Sequence, residues 1–399
     1  MSLATFKEFF DNSYQEIFLK VLVGKKIANL RFESVLKYGE SVERVAYDIS
    51  NIKVRTVSRG SASTIDALTD TSELISIDIE KEAAFFLSDG EITQAGPLNP
   101  GSVIGAKIAH KVATYVDADI LAETVNAFSV FDNGDLATQA SDGTPITLSA
   151  TTVPQMITRM PAKLGRNNQT LNNLAFVLDS YGASDLEQYL LSKDIDIAGS
   201  VFKNGYAGKV SKAEIFVSEN LTGEAIFGLA TQPTADDTIV INGLTFTFVA
   251  SPAAEGDVDL GANVDATRVN LAAAINEGAG AGTAYIAFTG ADLETLQDLR
   301  FTATDSATAD TLSVVGTGSG RLTVTSSLSD ATDQAATKNF VHSYFGKKGA
   351  IDVVVQDLSE VDMRKTSDRR GINIFSSVLY GIKTFADGDD KFLDVKINA

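Results

Sequence analysis

The chain has 399 residues, with 33 Lys and Arg against 52 Asp and Glu, a formal net charge of −19 and a pI near 4.5. Charge of that sign is repelled by nucleic-acid phosphates and by anionic lipid, and no Lys/Arg-rich run offsets it. Without Cys there are no disulfides, thiolate zinc sites, iron–sulfur clusters or thiol nucleophiles, and imidazole chemistry is left to His110 and His342.

With 44% hydrophobic and 21% charged residues the composition is that of a globular chain, enough for two or three cores of roughly 100–200 residues each. The N-terminal MSLATFKEFFDNSYQEIFLKVLVGKK lacks the basic start, apolar block and small-residue cleavage site of a secretory signal. No run of about 18 apolar residues predicts a membrane span. The expectation is a protein that is intracellular or assembled inside a cell.

In chain order, Leu3, Phe6, Phe9/Phe10, Tyr14, Ile17/Phe18 and Val21/Leu22 recur at helical spacing, which predicts an amphipathic helix over 3–23 ended by Gly24. It docks either on its own core or, as an arm, on a neighbouring subunit. Residues 36–94 change period. ESVERVAYDI, IKVRTVSR and LISIDIEKEAAFF are β-branched, partly alternating and broken by Gly39, Asn51 and Gly60, which predicts long hairpins. They carry too little apolar surface to bury themselves, so partner subunits are expected to cover them.

After Pro100 and Gly101, the line Ile104, Ile108, Val112, Val116, Ile120 steps by four and predicts one helix of about seven turns, to residue 127. His110 sits within it with no second ligand at i+4. A polar loop over 129–150 leads to a helix near 152–164, a buried strand LAFVLDS (174–180), a helix near 183–192 and strands around 209–217, a mixed α/β domain.

The composition then shifts. From Leu229 to Thr337 there are 14 Asp/Glu and 3 Lys/Arg, a net −11 that leaves −8 for the other 290 residues. TIVI-NG-LTFTFVA is a hairpin signal around Asn242-Gly243. A helix DATRVNLAAAIN ended by Gly278 follows, then strands near 283–289, 299–304, 311–315 and 321–326. This is the expectation of an autonomous small α+β domain inserted between two host strands. The host resumes with strands GAIDVVVQ, GINIFSSVLYGIKTF and FLDVKI around a charged loop at 357–371.

No motif announces chemistry. The runs Gly278–Gly282 and Gly316–Gly320 lack the Lys-Ser/Thr of a phosphate loop. The carboxylate pairs Asp117/Asp119, Asp236/Asp237, Asp257/Asp259 and Asp389/Asp390 read as solvated, and GDVDLGAN (256–263) misses the terminal Glu of a calcium loop. Around His342 there is no nucleophile elbow, and Lys347 and Lys348 read as flanking a turn closed by Gly346 and Gly349. The residues support no enzyme, cofactor or metal. They support an arm, an extended hairpin, a spine-like helix and a sheet domain, which suit self-assembly.

That order, with ELISIDIEKEAAFFLSDGEITQAG (73–96), NGYAGKVSKAEIFVSENL (204–221), GKKGAIDVVVQ (346–356) and YGIKTFADG (380–388), resembles the tailed-bacteriophage major capsid protein of the Hong Kong 97 type over roughly 1–228 and 338–399. The resemblance implies an α+β fold made of an N-terminal arm (1–35), an extended loop (36–72), a peripheral domain with the spine helix (73–128), an axial domain (129–228) and closing strands (338–399). The small α+β domain at 229–337 is then an insertion. The implied function is a shell of hexamers and pentamers around double-stranded DNA, enclosed without sequence-specific binding. Phe6 and Phe10 of the arm, Arg55 and Arg59 of the loop, and Lys347 and Lys348 are the expected assembly contacts. Partners implied are further copies, a separate scaffolding protein since the arm starts at Met1, a portal protein and, in some members, a decoration or cement protein. The location is the virion capsid, assembled in host cytoplasm and away from membranes. The alternative is a cell-surface or appendage protein of S-layer or flagellar kind. The acid of 229–337 is expected on the outer surface, for display, for contacts between capsomers, or for glycan or host-surface adhesion.

Overall fold

Alternating apolar positions make most of the strands, and a computed structural model shows how they are partnered. It describes residues 22–32, 39–48, 52–56, 59–60, 65–67, 69–90, 100–192, 206–210, 212–358, 362–365 and 370–398. The fold is α+β. One helical turn, α1 (Gly24–Ile27), precedes β1 (Ser41–Asp48), β2 (Thr69–Ser76) and β3 (Ile79–Ser88). The long helix α2 runs Pro100–Ala122 and tightens into a 3-10 turn at Glu123–Asn126. Next are β4 (Ser129–Phe131), α3 (Asn133–Ala137), α4 (Thr152–Arg166), β5 (Leu174–Leu178) and α5 (Ser180–Ser192). Strands β6 (Tyr206–Val210), β7 (Ala213–Val217), β8 (Thr222–Gly228), β9 (Thr238–Ile241), β10 (Leu244–Val249) and β11 (Asp257–Asp259) follow. Helices α6 (Val264–Ile275) and α7 (Gly290–Asp298) lead to β12 (Phe301–Ser306), β13 (Thr311–Gly316), β14 (Val324–Ser326) and α8 (Ala331–Ala336). The chain closes through β15 (Lys338–Lys347), β16 (Asp352–Leu358), β17 (Asp362–Lys365), β18 (Gly371–Lys383) and β19 (Phe392–Asn398).

These elements form two compact units. Described residues within 28–112 and 351–389 belong to the first; those within 22–27, 113–350 and 390–398 belong to the second. In the first unit β18 is central, with β3 along one edge and β16 and β17 along the other. Beside this sheet β1 and β2 make a separate two-stranded ribbon, paired from Ser41↔Ser76 to Asp48↔Thr69. Among the described residues the ribbon and the sheet share a core of Ile75, Ile77, Val354 and Phe385, with Phe32, Val42 and Leu379 packed against it. Gly381 lets the ribbon come close, since a Cβ there would lie 2.1 Å from the Ser76 carbonyl oxygen.

In the second unit β15 is the pivot. One of its sides pairs with β8 and then β5, while the other carries β19 from Phe340↔Asn398 to Gly346↔Phe392. Beyond β19 lies β4, in parallel. Beyond β5 lie β7 and β6, and beyond β8 lie β13 and β12. Helices α4 and α5 cover this sheet with Val153, Met156, Met160 and Leu164, and with Ala183, Leu186 and Leu190, at helical spacing. A second sheet, ordered β11-β10-β9-β14, starts from the hairpin read in the sequence. Asn242 and Gly243 take φ of 50° and 87°, as a type I′ turn requires.

The segment 229–337 does connect two paired host strands, β8 and β15. Its core, however, includes Ala225 and Phe227 of β8, and its β12 and β13 continue the host sheet. It is also seated on α2 residues of the same unit. Tyr115 donates to Asp298 at 3.0 Å, Arg300 pairs with Asp119, and Gly318 lies so close to Ala118 that a Cβ would be 2.4 Å from its methyl.

Other differences have local causes. Gly24 opens a helical turn instead of ending a helix, because its N–H is drawn to the buried Asp117 Oδ1 at 2.6 Å; residues 3–21 of the expected arm helix lie outside the described residues. Residues 52–56 are not in a strand among the described residues, where the last rung of the ribbon is Asp48↔Thr69. The 129–150 loop holds β4 and α3, organised by the buried Asp132, which accepts from the Gly134, Asp142 and Gly143 amides. In place of a strand at 283–289, Tyr285 makes isolated bridges, and α7 follows. Part of the charged loop, Asp362–Lys365, pairs with β18. Gly346 belongs to β15 and not to a turn, its bare Cα being what lets β19 approach: a Cβ would sit 2.2 Å from that of Phe392.

Candidate assembly surfaces

Among the described residues, the exposed large apolar side chains gather in the ribbon and the loop beyond it, with Val125, Phe128, Tyr181 and Val269 exposed elsewhere. Residues opposite each other on paired strands share a face. Val42 and Ile75 face the first unit's core, and Ile75 is fully buried. The other face leaves Val45 49% and Leu74 52% exposed, and near the tip Val54 and Ile65 are 103% and 92% exposed. The root is fixed by Arg44, which forks onto the Asp387 carboxylate at 2.6 Å and lies 5.0 Å over the Phe385 ring. An isolated two-stranded ribbon is marginal in water, and this one turns hydrophobic side chains outward along its length.

The described contact residues expected from the sequence fall in both units. Phe6 and Phe10 lie outside the described residues. Arg55 makes a bidentate pair with Asp66 of its own chain, at 2.7 and 2.6 Å. That guanidinium, with the Lys53 amide, holds the Asp66 carboxyl below its usual range. The pair ties residue 55 to residue 66, each next to an exposed apolar side chain, Val54 and Ile65. Arg59 is exposed at a turn beside Gly60, whose φ is 90°. In the second unit Lys347 donates to Gln169 Oε1 at 3.3 Å. Lys348 pairs with Glu214 and lies 4.9 Å over the Phe216 ring. The two lysines therefore brace the end of β15 within their own unit.

Sequence reasoning singled out His342 but not its partners. On β15, fully buried, it bonds Asp394 of β19 through Nδ1 at 2.9 Å and Glu224 of β8 through Nε2 at 3.0 Å. Burial works against its charge, but the two carboxylates outweigh it and raise the pKa to about 9. An imidazolium donating from both nitrogens thus ties three strands. Glu224 also accepts from Ser313 at 2.6 Å, and His342 and Ser313 together hold its carboxyl below the usual range despite burial. The partners lie 118 and 52 positions from His342, so no local motif marks them. No nucleophile stands in this triad.

Asp117 is a second buried carboxylate. It accepts from the Gly24 amide, Ser218 Oγ at 3.1 Å and Asn220 Nδ2 at 2.9 Å, and burial outweighs these donors to raise its pKa. It pins α1, α2 and the turn after β7 together. Among the described residues no group of three or more His, Asp or Glu is placed to hold a metal, and no helix is long and apolar enough to cross a membrane.

No family model matches the chain, and no curated protein matches it. Among solved structures it is similar to one from Mycobacterium phage Che8, at 14% identity and a TM-score of 0.48 over 93% of this chain and 90% of that one. It is similar to the capsid structure of the cyanophage P-SCSP1u, at 11% identity and 0.46 over 95% and 89%. A virus-like particle from Pyrococcus furiosus is similar at 8% identity and 0.39 over 98% and 97%. These likenesses span nearly the whole chain, at low identity and with TM-scores below 0.5.

Proposed function

We propose that the chain is a major capsid protein, a structural subunit that assembles as hexamers and pentamers into an icosahedral shell around the double-stranded DNA of a tailed phage. The observation that carries this reading is the ribbon β1–β2, whose outer face and tip expose Val45, Val54, Ile65 and Leu74. A second copy covers them, and the stabilisation comes from apolar area removed from water, about 25 cal/mol per Å². The long helix, the ribbon and the sheet around β15 supply the spine, the overlapping loop and the axial body of such a subunit. A scaffolding protein and a portal protein are its partners during assembly, in host cytoplasm. The 229–337 segment, with its net −11, faces outward, because a surface of that charge on the inner wall would repel packaged DNA.

The test is electron microscopy and light scattering on the purified full-length chain. Closed shells or ring-shaped capsomers are expected. Monomers alone at every concentration, with or without scaffold, overturn the reading, and helical filaments or flat lattices point instead to an appendage or surface-layer subunit.

A further inference from the structure

One cleft in the second unit gathers cations in a chain that is otherwise acidic. It has a volume of about 150 Å³ and is lined by Phe131, Asp135, Gln139, Arg159, Ala162, Lys163 and Arg166. The cations come from one helix, α4, which has no Asp or Glu. Lys163 is spent on Asp135, bonding both of its oxygens at 2.6 Å and the Val130 carbonyl at 2.5 Å.

The two arginines are not neutralised. Arg159 uses Nη1 on the carbonyls of Asp135 and Leu136, which fixes its side chain, and its Nε and Nη2 hold no bond among the described residues. Arg166 is exposed and has no hydrogen bond or ion pair among the described residues. A place in the last turn of α4 suits Lys163 and Arg166 to the helix dipole, but not Arg159, two turns earlier. A guanidinium with N–H groups left over beside an open cleft suits a planar anion, which accepts two parallel hydrogen bonds from one fork, and a second guanidinium on the same cleft wall adds to its charge.

We propose that this cleft seats a carboxylate from a second copy of this chain, held by Arg159 and Arg166, and so fixes the register of neighbouring subunits. The inference rests on the shell reading above. Charge complementarity argues for the occupant: with 52 Asp and Glu against 33 Lys and Arg, every neighbour in a shell of identical copies is rich in carboxylates. A rim ion pair of this kind contributes little raw affinity, but it steers docking and rejects misaligned partners, and a shell repeats it at every equivalent contact.

The experiment compares self-association of full-length wild type, Arg166→Glu, Arg166→Lys and Ala162→Glu by sedimentation and electron microscopy at low and high salt. Ala162 is exposed in the cleft wall, so its Glu variant fills the site from within. Both Glu variants are expected to lower shell yield about tenfold at low salt, the equivalent of about 1.4 kcal/mol. Arg166→Lys is expected to keep most of it, and the melting midpoint of the unassembled chain is expected not to move. Glu variants that assemble like wild type overturn the inference, as does normal assembly with reduced retention of nucleic acid, which assigns the cleft to a phosphate. If Arg166→Glu lowers the melting midpoint, Ala162→Glu decides. Wild type that stays monomeric overturns the shell reading itself, a result distinct from failure of the variants alone.

Discussion

The ribbon β1–β2 and the strand β15 use the same antiparallel hydrogen bonds to opposite ends. β15 is paired on both sides, buried from Phe340 to Gly346, and locked by a charged histidine between two carboxylates. Among the described residues the ribbon is paired only with itself, and it shows the solvent Val45 and Leu74. Ladders alone do not distinguish a stable strand from a waiting one; what distinguishes them is whether the faces are covered. In β15 the cover is intramolecular, and in the ribbon it is proposed to come from the next subunit.

The largest test of that contrast is to excise 229–337 and join β8 to β15 with a short Gly/Ser linker. If the segment were a pendant module the host would survive. Because β13 pairs along β8, and Ala225 and Phe227 are buried in the shared core, the excised chain is expected not to fold, with loss of the cooperative transition in circular dichroism. A host that melts normally would show the segment to be separable.

Next in size is His342→Gln. It removes the cation between Asp394 and Glu224 and leaves buried carboxylates facing a neutral amide, at a cost of about 3–5 kcal/mol. Urea unfolding measures it, and a shift below about 1 kcal/mol would show the triad to be structurally idle. The pH dependence of wild type is a smaller effect with a fixed sign. A histidine whose folded pKa is raised from 6.5 to about 9 contributes fully below pH 6.5, and that contribution is lost as pH rises through about 9. Melting temperature is expected to fall from pH 7 to pH 10, with His342→Gln lacking this component. Smallest for the isolated chain are Val54→Asp and Ile65→Asp. Both sites are exposed, so unfolding free energy should change by less than about 0.5 kcal/mol, while shells or capsomers disappear in light scattering. Normal assembly of both variants would place the contact elsewhere on the chain.

Periodicity made much of this fold readable. The step of four from Ile104 to Ile120 gave the long helix, and Asn242-Gly243 marked its hairpin to the residue. The region 283–289 did not become a strand because Tyr285 is held by bridges to Ala281 and Val258 and by its hydroxyl on the Gly278 carbonyl, contacts that no local pattern records. The composition of 229–337 does not record how the segment joins its neighbours. Composition reports charge, and the seam is made by Gly318 against Ala118 and by Arg300 with Asp119, none of them conspicuous in sequence. Of the expected contacts, Arg55 was legible as an exposed cation on the loop, but its pairing with Asp66 needed the turn that brings residues 11 apart together.

The pairing of β19 with β4 sets a schedule for folding. Ser129 of β4 meets Leu393 of β19 more than 260 residues later, and the same β19 completes the far side of β15. During synthesis β4 is therefore an orphan for most of the chain's emergence, and β15 an open edge. Contacts this distant in sequence form slowly and leave strands exposed to the wrong partner meanwhile. For the shell subunit proposed above, made in many copies, that interval is the vulnerable one, since an unfilled place beside β15 invites the same strand from another copy.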